Sequence, residues 1–168
     1  MPDGKVQERH VDWDVIDFTV FGAMLLSVGV IYMLARRSTA NAAYRFAVGV
    51  ALAAAFVLIW VNGAVGIIGD QSNDANMAYF GVLAVGIIGA IIARFKPQGM
   101  ARAMYATALT QTAVAVFALI AGLGSTAPIW PRDILLLTGF FVALWLLSAW
   151  LFRNAAREQR NADSEQEG

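Results

Sequence analysis

Five stretches of the chain contain no charged residue: Phe18 to Ala35, Phe46 to Gly69, Ala75 to Ala93, Ala103 to Pro131 and Ile134 to Phe152. The hydrocarbon core of a bilayer is ~30 Å thick and a helix rises ~1.5 Å per residue, so a span needs ~20 mostly apolar residues. Each stretch meets that need. The charged share is 14% and the apolar share 59%, whereas roughly a quarter of a soluble domain is charged. The expected fold class is therefore all-α: a polytopic integral membrane bundle of five transmembrane helices, forming one membrane domain over residues 1–168. Spans are expected at about 15–36, 43–69, 76–95, 101–123 and 132–153, with a polar C-terminal tail, 154–168, that extends the last helix briefly and frays. A signal peptide would begin with a short basic region. Here Asp3, Glu8, Asp12, Asp14 and Asp17 crowd the start, so the first stretch is expected to stay as a span.

Charge placement sets the expected orientation, because Lys and Arg near span ends favour the cytoplasm. Arg36, Arg37 and Arg45 follow the first span, and the next turn has Asp70 and Asp74 but no basic residue. Arg94, Lys96 and Arg102 follow the third span, Arg132 alone the fourth, and Arg153, Arg157 and Arg160 the fifth. That alternation predicts an N-terminus outside and a C-terminus inside. Five acids against Lys5 and Arg9 in the N-terminal segment agree with it. Trp and Tyr favour membrane interfaces, which places Trp13 and Tyr79 at the outer face and Tyr32, Tyr44 and Tyr105 near the inner one. Trp130 and Trp150 bracket the last span.

Helix ends carry local signals. Thr39 or Asn41 suits the cap of the second helix, and Pro131 the first turn of the fifth. Lys96-Pro97-Gln98-Gly99 reads as a tight turn that makes spans three and four a hairpin, and Ser125 to Pro128 closes the fourth span. Within a membrane, small residues let helices approach closely. Ala47, Ala51, Ala54 and Gly63 in span two, Gly86 and Ala90 in span three, and Ala103, Ala106 and Ala113 in span four make these three the expected centre. The fifth span, rich in Leu, Phe and Trp, is expected to face lipid more, and the first to be peripheral. The hexapeptide Ala64–Gly69 recurs in letters at Ala84–Gly89. An inverted repeat would be a transporter design, but so restricted an alphabet repeats readily by chance.

Few groups suit chemistry. Cysteine is absent, which removes disulfides, thiolate metal sites and cysteine nucleophiles. The single histidine, His10, lies ahead of the spans, so no b-type haem pair, His/Glu protease motif or serine–histidine pair exists within them. No ionisable residue lies inside a span, where proton-coupled transporters usually need one. No enzyme activity, cofactor, metal centre or nucleic-acid partner is expected. The polar residues within the spans are Asn62 in the second and Thr107, Thr110 and Gln111 in the fourth. Interhelical hydrogen bonding is the plain reading of them; a small polar site or crevice is the sharper one. Asp70, Asn73, Asp74 and Asn76 make the most polar turn; their oxygens suit a hard cation, but the spacing does not match an EF-hand loop and turn-forming Asn and Asp explain it more simply. Arg94, Lys96 and Arg102 form a basic rim suited to topology and anionic head groups.

The segments Trp60-Val-Asn-Gly-Ala-Val-Gly-Ile-Ile-Gly69, Asn73-Asp-Ala-Asn-Met-Ala-Tyr79 and Arg94-Phe-Lys-Pro-Gln-Gly-Met-Ala-Arg102 resemble a group of small bacterial inner-membrane proteins of unknown function. The resemblance covers most of residues 44–102 and, more loosely, the last two spans. It implies a multi-pass protein of a bacterial inner (plasma) membrane and transfers no catalytic residue. Three functions stay open: a non-enzymatic accessory or assembly component that packs with itself or another membrane protein, a small oligomeric channel or transporter with a polar path near Asn62 and Gln111, and a lipid- or quinone-binding protein. Membrane lipids are expected partners throughout, with a homo-oligomer or another membrane protein as a further one.

Overall fold

Local signals set most helix ends. In the computed structural model, residues 15–69 and 72–166 are described, Asp17 by its backbone alone. Asp3, Glu8, Asp12, Asp14, Lys5, Arg9, His10, Trp13 and the turn residue Asp70 lie outside them. Five α-helices follow in order: α1 (Val15–Ser38), α2 (Ala42–Ala64), α3 (Ala78–Ile92), α4 (Pro97–Ile120) and α5 (Arg132–Gln166). A short 3-10 helix, Asp74–Met77, leads into α3. Among the described residues there is no strand. All five helical segments, the third counted with its 3-10 turn, are long and apolar enough to cross a membrane.

Asn41 caps α2 by accepting from the Tyr44 N–H at 2.8 Å, while Thr39 accepts from the Asn41 N–H at 3.1 Å. The α3–α4 turn occupies Ala93 to Lys96, three residues earlier than composition suggests. Pro97 takes the first position of α4, where its missing N–H costs nothing. Arg94 and Phe95 make the turn with φ of 49° and 57°. The Tyr44 hydroxyl anchors it by donating to the Phe95 carbonyl at 2.8 Å. Pro131 stands just outside α5, not in its first turn, and its carbonyl accepts from the Leu135 N–H at 3.2 Å.

Span boundaries shift for the same local reasons. The second helix ends at Ala64, not 69, because 65–69 turns back as a loop with Gly66 and Gly69 at φ of 73° and 77°. Ala64–Gly69 is therefore mostly loop whereas Ala84–Gly89 is helix, so the repeated letters do not mark a repeated structure. The fourth helix is displaced toward the chain start, to 97–120. The fifth continues unbroken through the polar tail to Gln166, which corrects the expected fraying. Its 35 residues make a rod of about 52 Å. Ala, Arg, Glu and Gln favour helix there. Asn41 ties the extension to the start of α2 by donating to Glu158 Oε2 at 2.8 Å.

Packing corrects the expected layout more strongly. The fifth helix is central, lying between α2 and α4 and burying Ile134, Phe141, Trp145, Ala149 and Phe152. The reason lies in complementary sizes. Ala47 and Ala54 of α2, and Ala108, Ala115 and Ala118 of α4, are buried and leave grooves that the bulky α5 side chains fill. Tyr44 meets Phe152 edge-on at 5.2 Å. The third helix packs on α4 through its glycines: a Cβ on Gly89 would lie 2.7 Å from Ala103 Cβ, and one on Gly86 3.1 Å from Thr107 Oγ1. As expected, α1 is peripheral, and none of its apolar stretch is buried. It leans on α2 through Phe21, whose ring lies 4.6 Å from that of Trp60 and 5.7 Å from that of Phe56.

Ser148 Oγ on α5 donates to the Ala47 carbonyl on α2 at 2.9 Å, both residues fully buried. Polar bonds between membrane helices contribute about 0.6–1.7 kcal/mol. Ser148→Ala should therefore lower stability by about 1 kcal/mol in detergent-titration unfolding. A loss above about 3 kcal/mol would mean that this contact organises the bundle, not merely adds to it.

Candidate functional site

The polar groups of interest fall into three separate regions along the bundle, buried at one end and in the middle and exposed at the other end. One end, here the loop end, carries residues 65–77 and 121–131; the other, the tail end, carries the α1–α2 and α3–α4 turns and the α5 extension.

At the loop end, the 3-10 helix points Asn76 inward. Its Oδ1 accepts from the Ile67 and Ile68 N–H groups at 3.0 and 2.9 Å. Asn62 on α2 donates to the Asn76 carbonyl at 3.1 Å, and Asn76 Nδ2 reaches the Ile68 carbonyl at 3.4 Å. Asn62 and Asn76 are both buried. This knot satisfies backbone groups that the loop would otherwise leave unpaired in an apolar setting, where each costs several kcal/mol. The described members of the polar turn are put to separate uses. Asn76 has its acceptor occupied, Asn73 caps the 3-10 helix by accepting from the Ala75 N–H at 3.0 Å, and Asp74 is exposed. Tyr79 is at this end, as expected, but is buried inside the bundle instead of lying at its surface. Its hydroxyl faces Thr138 on α5, with Asp133 nearby, without a well-formed hydrogen bond.

In mid-bundle, Gln111 is fully buried and its Oε1 accepts from Trp145 Nε1 at 3.5 Å. Its Nε2 has no partner among the described residues. Thr107 and Thr110 each donate to a carbonyl of their own helix, those of Ala103 and Ala106, at 2.9 Å. Asn62 and Gln111 thus serve different neighbours, and no hydrogen bond joins them among the described residues. The four polar residues singled out in the spans are not brought together into one site.

At the tail end, Arg94, Lys96 and Arg102 are exposed. Lys96 shares a notch of about 310 Å³ with Gln98 on α4 and Gln159, Arg160 and Asp163 on the α5 extension. Arg153 Nη1 donates to the Tyr105 hydroxyl at 3.3 Å. Beside that pair opens a lateral groove of about 390 Å³ between α4 and α5, lined by Tyr105, Ala108, Leu109, Thr112, Val142 and Leu146. Sequence reasoning did not locate this groove because its two walls lie thirty or more residues apart. The one available signal was the pairing of Tyr105 and Arg153, each at the polar limit of its span.

No family model, curated protein or solved structure matches the chain.

Proposed function

We propose that the chain is a non-enzymatic, multi-pass membrane protein that acts as an accessory or assembly component, with its N-terminus outside and its C-terminus in the cytoplasm of a bacterial cell. The proposal rests on the separation of Asn62 and Gln111. Each is buried, and each bonds a different part of the bundle, Asn76 for the first and Trp145 for the second. A polar path would need the two to share a crevice. The bacterial inner membrane enters through the resemblance of the Trp60 to Arg102 region, and the orientation through the clustering of arginine at the tail end. Partner contact is assigned to α1. A Cβ built on Gly22 or Gly29 would meet no neighbouring element within 4 Å, so this helix offers a close-approach face to a second copy or another membrane protein.

Proteoliposomes test the reading directly. Ion and small-solute flux should match that of protein-free vesicles, and Gln111→Leu should leave this unchanged. A flux that Gln111→Leu abolishes, with helix content retained, would replace the accessory role by the channel or transporter. A reporter fused to the last residue should be active in the cytoplasm, and periplasmic activity would reverse the orientation. Because the chain has no cysteine, a single Ala23→Cys on the exposed face of α1 gives an unambiguous cross-linking probe in native membranes. It should yield a discrete cross-linked species, and a monomer alone would argue against the α1 contact.

A further inference from the structure

The groove between α4 and α5 combines features that belong to one kind of ligand. Along α4 it extends from Tyr105 to Thr112, about 10 Å of helix. Its walls are apolar except for two hydroxyls. That of Thr112 is occupied, donating to the Ala108 carbonyl at 2.9 Å. That of Tyr105 stands at the tail end of the groove, where Arg153 donates to it at 3.3 Å. Arg153 is the first charge after the apolar run of α5, so it stands where the span meets the interface. Arg102 lies one turn before Tyr105 on α4, and Arg157 one turn beyond Arg153 on α5. All three arginines are exposed, and among the described residues none of them is in an ion pair.

We propose that this groove seats one acyl chain of an anionic phospholipid from the leaflet on the tail side, with its phosphate held by Arg153 and the Tyr105 hydroxyl and with Arg102 beside it. The inference rests on the membrane reading above. An apolar slot that ends in cations at interface depth matches the two halves of such a lipid, since buried methylenes and phosphate–arginine contacts each favour it. A second copy of the chain fits less well. In the same membrane orientation it would bring its own Arg102, Arg153 and Arg157 to the same depth, adding like charge where an anion is needed.

Photo-cross-linking tests the site. The full chain is reconstituted in phosphatidylcholine vesicles containing phosphatidylglycerol, with a diazirine on the acyl chain of one lipid or the other, and labelled peptides are mapped. Label from phosphatidylglycerol should concentrate on segments 105–112 and 142–146, in excess over label from phosphatidylcholine. Arg153→Gln should lower that preference about fivefold, the effect of one basic residue at an anionic surface. Thr112→Phe should fill the slot and reduce labelling of both segments roughly tenfold by excluding a few methylenes. Both substitutions are at exposed positions, and unchanged helix content by circular dichroism confirms folding. Label spread evenly over the exposed faces of α1, α3 and α5 would mean ordinary surrounding lipid and would overturn the site while leaving the membrane reading intact. Label no higher than on a soluble control protein would overturn the membrane reading and the site with it. Disulfide-linked dimers of a Leu109→Cys variant that suppress the lipid label would make the groove a protein interface instead.

Discussion

Replacing Asn76 with leucine is expected to destabilise the protein by roughly 3–5 kcal/mol, because it orphans buried backbone donors that nothing else can reach. The Ile67 and Ile68 N–H groups both donate to Asn76 Oδ1, at 3.0 and 2.9 Å, and both residues are essentially without solvent contact. A buried donor left without an acceptor costs ~1–3 kcal/mol, and the variant creates two. Leucine's own burial offsets part of this only if the larger side chain fits, and Asn76 already fills its site at 4% exposure. Asn73→Ala is the matched comparison. It removes one cap bond from the same short helix, 3.0 Å to the Ala75 N–H, and should cost ~1 kcal/mol. Unfolding by SDS titration in mixed micelles, followed by tryptophan fluorescence, separates the two. Equal losses would show that the Asn76 knot does not hold the loop end together.

The second large effect lies across the same end of the bundle. Gly124 has φ of 76°, and a Cβ built on it would lie 2.6 Å from the Gly69 nitrogen and 2.8 Å from the Gly69 Cα. Both obstacles are backbone, so no side-chain rotation relieves them. Gly69 itself has φ of 77°, and its own Cβ would meet the Gly124 Cα at 3.1 Å. The two loops touch glycine to glycine, which locks the chain between α2 and α3 against the chain between α4 and α5. Gly124→Ala should cost about 3 kcal/mol, combining the left-handed backbone penalty of ~1 kcal/mol with forced separation of the loops. Gly122→Ala isolates the first part. Its φ is 64°, and the nearest atom to its Cβ is Ser125 Oγ at 4.0 Å, so only the backbone penalty of ~1 kcal/mol applies. The difference between the two variants in the same unfolding assay reads the loop contact alone, and a difference near zero would mean the loops are not held in contact.

These effects meet at a place the sequence describes poorly. Asn76 reads as one of four oxygen-bearing turn residues facing water, and in the structure it is a buried acceptor for backbone three-dimensionally close but eight and nine residues away. Asp74 kept the exposed position that its charge demands. Nothing in the letters distinguishes these two, because the difference is only where the chain folds back. Gln111 was legible as a mid-span polar group, and its partner Trp145 was not, since thirty-four residues and a loop separate them.

By itself the sequence determined the number of helices and their rough placement, because charge-free length is a one-dimensional property that bilayer thickness turns into a span. It also narrowed the α2 cap to Thr39 or Asn41 and gave the marginal place of α1, each an effect of neighbours along the chain or of side-chain size. Only the tertiary structure decided that α5, not α3, lies at the centre, since bulky rings look lipid-facing until the alanine grooves of α2 and α4 stand opposite them. It alone decided the loop-end knot, the glycine contact and the α4–α5 groove. Each of these joins residues distant in sequence, and pairing across space is set by shape and by the need to satisfy every buried polar group, which no local pattern encodes.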